Sequence, residues 1–368
     1  MTVMNITCNK QLLSETANHI ARVIPSTSAI PALSGILLVA EQNLTLSGYD
    51  LEIGITKTID ATVKERGKVV FDAKLFCDIV RRLPDDTVTI SVDDRLVCEI
   101  FSGKSHFSLM GINADEFPDM PSVEEGKSLS LPAETLQSMV RQTIFSVAPA
   151  DANKPLYTGL MYEIKDNSIN MIAVDGYRLA IRKEKIDFDG DISFIVPSKT
   201  MSEVTKLISG DEEVMLSVSD RHIIFSVDGF IVVSRLLVGE FLNYESAIPK
   251  STSTKVQVNT REMISSVERV SQIILERIKT TPLRCKFEND FFVASCNTEL
   301  GSAQDEIEIK LEGQPVEIGF NNRYLLDALK ATESDEVVFE MGGPQAPAVI
   351  HPIGGDNFLF IIMPVKLK

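Results

Sequence analysis

The sequence contains no tryptophan, only four histidines and only five cysteines in 368 residues. Each scarcity narrows the chemistry. His19, His106, His222 and His351 stand alone, and none has a second ligand at the spacing a metal site needs. Cys8, Cys77, Cys98, Cys285 and Cys296 form no CxxC pair, so this odd, scattered set reads as reduced and cytosolic, not as a disulfide framework. No apolar run approaches the roughly 20 residues a membrane helix needs. The opening MTVMNITCNK has no basic stretch leading into an apolar core, so no secretory leader is expected. GxGxxG, HExxH and GxSxG are all missing. SGKS at 102–105 resembles the end of a phosphate-binding loop, but the glycine required five positions before Gly103 is Cys98, and HFSLM follows as a strand. No catalytic residue, cofactor, metal or membrane partner is expected from these absences. A hydrolase with catalytic groups scattered along the chain stays open as an alternative.

What is present is repetition. The length exceeds one average domain of roughly 150 residues, so internal repeats are the first thing to seek. KVVFDAKLFCDIVRRLPDDTVTISV at 68–92 recurs in pattern as FIVPSKTMSEVTKLISGDEEVMLSV at 194–218 and as EIGFNNRYLLDALKATESDEVVFEM at 317–341. Each copy reads apolar strand, polar cap, basic residue, amphipathic helix, acidic turn, apolar strand. Lys74, Lys199 and Arg323 take equivalent places, 125 and 124 residues apart. LSGYDLEIGI, IAVDGYRLAI and VASCNTELGS each end one strand and begin another, and EFPDM at 116–120 returns as EFLNY at 240–244. Three markers share one period, which predicts three similar domains over 1–127, 128–250 and 251–368.

Each repeat opens with a further helix: CNKQLLSETANHIARVI, PAETLQSMVRQTIFS and TREMISSVERVSQIIL place apolar residues at helical spacing. Asn9 and Thr260 are the expected caps, and Pro132 suits a first turn. The remaining segments alternate apolar and polar, as half-buried antiparallel strands do. The expected class is α+β: three similar domains, each with two helices on curved antiparallel sheets.

The formal charge of −16 argues against a nucleic-acid partner until its distribution is examined. The six expected helices hold twelve basic and seven acidic residues, a net of +5, while the remaining chain carries −21. In the helix at 73–83, Leu75, Phe76, Ile79, Val80 and Leu83 form the expected buried stripe, with Lys74, Arg81 and Arg82 opposite. If all the helices share one side, that side attracts phosphate while the exterior repels it. Without aromatic platforms such a surface grips the backbone, not the bases.

GYDLEI at 48–53, VDGYRLA at 174–180, IGFNNRYLLDAL at 318–329 and the terminal IIMPVKL at 361–367 together resemble the bacterial DNA polymerase III beta-subunit family of sliding clamps, over the whole chain. The resemblance implies a non-catalytic homodimer of six domains closed head to tail around double-stranded DNA, with helices lining the hole. It implies that Phe107 and Leu109, on an edge strand, meet the region of Ile273 and Ile274 in the partner copy. Bound partners would be the replicative polymerase and the clamp loader, docking through short extended peptides.

Carried over by motif, the walls of that peptide groove are Tyr157, Val174, Gly176, Tyr177, Arg178, Leu179, Leu242, Ser246, Ala247, Asn321, Tyr324, Ala346, Ala348, Ile361, Ile362, Met363, Pro364, Val365, Lys366 and Leu367. Val174 replaces a small polar residue common there, Leu242 a proline and Ser246 an arginine, which leaves the peptide preference open. The family's usual basic or polar positions near Ser26–Ser28, at Ala73 and at Ala150 are small and uncharged here. Expected DNA contacts are therefore Lys74, Arg82 and Lys199 first, then Lys10, Arg22, Arg81, Arg141, Lys206 and Arg323. A three-repeat scaffold that binds peptides but never DNA is the remaining alternative.

Overall fold

The computed structural model describes residues 2–122, 126–210, 212–274 and 281–367. Residues 123–125, just before the expected first boundary, and Leu275 at the end of the expected fifth helix lie outside the described residues. Six α-helices occur among the described residues: α1 (Lys10–Ala21), α2 (Ala73–Arg82), α3 (Ala133–Arg141), α4 (Ser198–Leu207), α5 (Thr260–Ser271) and α6 (Asn322–Ala331). The repeat is exact at one point: Lys74, Lys199 and Arg323 are each the second residue of a ten-residue helix.

Local chemistry explains where these helices begin. Asp72 Oδ1 accepts from Leu75 N at 2.8 Å, Asn321 Oδ1 from Arg323 N at 3.0 Å and Asn9 Oδ1 from Leu12 N at 3.1 Å. Each satisfies a donor that the first turn leaves without a carbonyl. At α5 the expected cap shifts by one. Asn259 Oδ1 accepts from Glu262 N at 3.1 Å, and Thr260 is the buried first helical residue. Asparagine wins because its carbonyl reaches the third amide from the non-helical position that a cap occupies. Helix α3 stops at Arg141, and Ile144–Ser146 forms a separate 3₁₀ turn, shorter than the expected run to Ser146.

The expected stripe of α2 needs one correction. Phe76, Ile79, Val80 and Leu83 are buried, but Leu75 is 47% exposed. At about 100° per residue, Leu75 lies one step round from Phe76 and leaves the buried arc that Val80 and Leu83 share with it.

The sheets are antiparallel throughout. The chain divides into two compact units, one of Met1–Leu136 with Lys199–Leu236 and one of Gln137–Ser198 with Leu237–Lys368. The division cuts through the central repeat, because sheets continue from one repeat into the next. In the first unit, Phe230–Arg235 pairs with Ile53–Ile59 to make an eight-stranded sheet. In the second, Phe358–Ile362 pairs with Arg178–Lys185 to make a nine-stranded sheet. The two junctions share one register. The fifth residue of one strand faces the first of the other: Ser234 opposite Ile53, and Ile362 opposite Arg178. Ser105–Met110 ends the five-stranded sheet of the first unit, and Gly301–Glu308 ends the four-stranded sheet of the second.

Hairpin turns recur with the repeat. Asp50 Oδ1 accepts from Glu52 N and Ile53 N, and Asp175 Oδ1 from Tyr177 N and Arg178 N. In the third repeat Thr298 Oγ1 accepts from Leu300 N instead. These side chains imitate a backbone turn and reverse the strand. SGKS is likewise a hairpin, with Gly103 at φ +56° between Val97–Ser102 and Ser105–Met110.

All five cysteines are buried and unpaired. Burial pushes the Cys8 and Cys98 thiols up to about 12 and Cys77 to about 11. The thiolate is the reactive form, so the folded protein at pH 8 is expected to resist Ellman's reagent. All five thiols should react once it is unfolded. Stoichiometric labelling of the native protein would contradict this burial.

Candidate peptide groove and cationic helix faces

The groove residues belong to the second unit, and period-two alternation decides which of them share a face. Val174, Leu179 and Ile361 gather with Ile172, Ile181, Tyr244 and Val349 into one apolar cluster. Half-buried Tyr157, Met161, Phe241, Ile248 and Leu359 pack against it. Ala348 and Ile362 do not join this cluster. They point to the other face of the sheet and lie fully buried with Phe360, Leu325 and Phe320. Motif matching carried them into the groove because it follows position along the chain, not the side of the strand.

Rim residues surround the cluster. Tyr177 is 63% exposed and its ring stacks near Tyr324 at 6.2 Å between centroids. Gly176, at φ +94°, makes the turn that lifts Tyr177 outward. Arg178 is almost buried: it donates to Asp175 at 3.0 Å and Asp327 at 2.5 Å, with its guanidinium 4.4 Å from the centre of the Tyr324 ring. It therefore serves as a brace under the aromatic pair. Asn321 is committed to capping α6. Ser246 donates to Asn243 O at 2.7 Å, and Ala247 and Leu242 are exposed beside it. Ala346 donates to Gly343 O within a turn.

The chain end runs across this region. Met363 N donates to Tyr177 O and Val365 N to Gly319 O, both at 2.8 Å. A Cβ on Gly319 would lie 2.4 Å from Val365 O, so glycine is what admits the tail so closely. Met363, Val365 and Lys366 are exposed, and Pro364 and Leu367 half-buried. The result is an apolar floor with adaptable Met and aromatic rims, a surface suited to an extended peptide. Sequence reading missed Ile172, Ile181, Phe241, Tyr244 and Ile248. The usable signal was strand alternation, together with the EFLNY marker that contains Phe241 and Tyr244.

Eight of the nine expected cations fall into two classes. Arg81 and Arg82 both pair with Asp78, Lys199 pairs with Asp50 at 2.6 Å, Lys206 with Glu203 at 2.7 Å, and Arg141 with Glu333. Lys10, Arg22 and Lys74 have no acidic partner among the described residues. All three sit on α1 and α2 or immediately after α1, and those two helices pack together. Arg323 is exposed. Phe107 is 37% exposed on the edge strand with Leu109 half-buried, whereas Ile273 and Ile274 pack against the core of the second unit.

Family models for the DNA polymerase III beta subunit match in sequence: N-terminal domain at 4–121, central domain at 130–243 and C-terminal domain at 245–366. The Bacillus subtilis beta sliding clamp is 30% identical over 99% of this chain and 100% of its own length. The chain belongs to the beta sliding clamp family. It is thus a non-catalytic accessory subunit of the polymerase III class, a processivity factor. The fold agrees: a putative polymerase III beta subunit from Eubacterium rectale superimposes with a TM-score of 0.95 at 33% identity, covering 99% of this chain and 100% of that one. A sliding clamp from Bartonella birtlesii bound to griselimycin superimposes with a TM-score of 0.92 at 29% identity, with the same coverage. Among the described residues no helix is long and apolar enough to cross a membrane, and no group of three His, Cys, Asp or Glu could hold a metal ion.

Proposed function

We propose that two copies of this chain close head to tail into a ring around double-stranded DNA, and that the groove at 157–179 and 361–367 docks the replicative polymerase, the clamp loader and other partners through extended peptides. One observation carries the ring. Two repeat-to-repeat junctions within the chain use the same strand pairing, and the strands equivalent to theirs, Ser105–Met110 and Gly301–Glu308, are both sheet edges. Exposed edges of this kind invite pairing with another chain. Carried over to the second copy, the internal register would set Leu109 opposite Gly301 and Phe107 opposite Ala303. Ile273 and Ile274 would then add to the contact from the end of α5. The domain division at 127/128 and 250/251 belongs to the same proposal, supported by the recurring helix and turn chemistry. So does a cytoplasmic location, in keeping with five reduced thiols.

DNA contact is assigned first to Lys10, Arg22 and Lys74, whose charges are not committed at home, ahead of Arg82 and Lys199. Arg81, Arg141, Lys206 and Arg323 are secondary. Such contacts are weak and sequence-independent, and a closed ring makes weak contacts sufficient: it cannot leave sideways. A tethered polymerase gains effective concentration at the primer end. The test is loading by the ATP-using loader onto nicked circular DNA. Retention on the circle and loss on linearisation are expected; equal retention on both forms would sink the topological reading.

A further inference from the structure

The wall segment between the central and third repeats carries three groove residues, Leu242, Ser246 and Ala247, yet it has almost no hydrogen bonds to the sheet beneath it. Leu237 N donates to Ile195 O before the segment, and Thr252 and Ser253 bond to Glu340 and Met341 after it. Within 238–250 the other hydrogen bonds are local, such as Ile248 N to Glu245 O and Ser246 Oγ to Asn243 O. Among the described residues one side chain alone makes a hydrogen bond across. Tyr244 Oη donates to Glu163 Oε2, and Asn170 Nδ2 donates to the same carboxylate at 3.2 Å and lies 3.5 Å from Tyr244 Oη.

Glu163 and Asn170 are cross-strand partners on Gly159–Lys165 and Ser168–Val174. The Tyr244 ring is 7% exposed and sits in the groove cluster with Ile172, Leu179 and Ile361. One residue therefore fills the groove floor with its ring and fastens the wall with its hydroxyl. The bond joins a buried tyrosine hydroxyl to a half-buried carboxylate, and partial shielding from water strengthens such a bond.

The first repeat supplies an internal control. There the cross-strand pair is Val39 with Thr45, and the wall residue in the EFPDM marker is Met120, packed over Gly54 and Thr56. That copy has only a hydroxyl-to-sulfur contact, from Thr56 Oγ1 to Met120 Sδ at 3.9 Å, while the hydroxyl-to-carboxylate fastening occurs in the copy beside the groove. Core packing alone would be met by methionine in both places.

We propose that Tyr244, held by Glu163 and Asn170, is a positioning residue that fixes the groove wall and sets how long a peptide ligand stays bound. The proposal rests on reading this surface as the peptide groove. The test uses the full-length protein and griselimycin as probe, with association and dissociation followed by surface plasmon resonance. Tyr244→Phe keeps the ring and loses the donor, and is expected to bind about fivefold more weakly, mainly through faster dissociation. Its melting temperature should move by no more than about 3 °C. Glu163→Gln keeps an acceptor and should retain most of the affinity, whereas Glu163→Leu should match Tyr244→Phe, and combining Tyr244→Phe with Glu163→Leu should add little further loss. This series also decides the matter if Tyr244→Phe fails to fold. Tyr177→Ala separates the two levels. If it weakens griselimycin binding while Tyr244→Phe and Glu163→Leu keep native kinetics, the positioning role is overturned and the groove stands. If Tyr177→Ala also binds like the native protein, the groove reading falls, and the positioning role with it.

Discussion

Phe107→Asp is expected to halve the mass in solution, from about twice the 40.6 kDa chain mass to a single chain. Phe107 is 37% exposed on a sheet edge, so the isolated chain loses little by the change. In the proposed ring the same position is covered by Gly301–Glu308 of the second copy, and an aspartate there would be desolvated opposite a strand that carries Asp305, Glu306 and Glu308. A buried aromatic anchor contributes at least about 2 kcal/mol to an interface. A closed two-subunit ring contains the interface twice, so one substitution acts at both, and the combined loss of about 4 kcal/mol weakens the dimer roughly a thousandfold. Light scattering after gel filtration measures the mass, and retention on nicked circular DNA should vanish with the dimer. A variant that keeps the double mass and stays on circular DNA would refute the assigned edge.

Replacing Lys10, Arg22 and Lys74 together by alanine should reduce DNA affinity more than replacing Arg81, Arg82 and Lys199. Both triple variants remove the same charge from the first unit, so the long-range field changes equally and the difference reports local availability. Arg81 and Arg82 share Asp78, and Lys199 holds Asp50. Exposed ion pairs of this kind are worth at most about 1 kcal/mol, yet each must be loosened before its cation meets a phosphate. Lys10, Arg22 and Lys74 need no such exchange. Each lost phosphate contact lowers the salt slope of log K by about 0.9, so one contact per cation in both copies would lower it by about 5. Binding to duplex DNA over a range of salt concentrations measures the slope. If the second variant loses as much slope as the first, the home ion pairs do not decide which cations are available.

Much of this protein was legible without coordinates. The three-fold repeat, the six helices and the position of Lys74, Lys199 and Arg323 at the second residue of each ten-residue helix follow from local rules, because capping, helical spacing and strand alternation act over a few residues. The resemblance carried by GYDLEI, VDGYRLA, IGFNNRYLLDAL and IIMPVKL located the family and pointed to the proposed groove region for the same reason: each string is a local turn, cap or tail.

Tertiary structure decided the rest. Which sheet face Ile361 and Ile362 take depends on the register of Phe358–Ile362 against Arg178–Lys185, strands far apart in the chain, and a shift of one residue would exchange them. Asp50 finds Lys199 across 149 positions, so no spacing rule could tell that Lys199 is committed and Lys74 is not. The wall at 238–250 likewise shows only a repeat marker, EFLNY, in sequence. The contact of Tyr244 with Glu163, 81 positions earlier, is what ties it to the sheet of the proposed groove. Composition and period determine elements, because those energies are local. Which charges stay available and which face is open are settled by long-range pairing, which only the folded chain specifies.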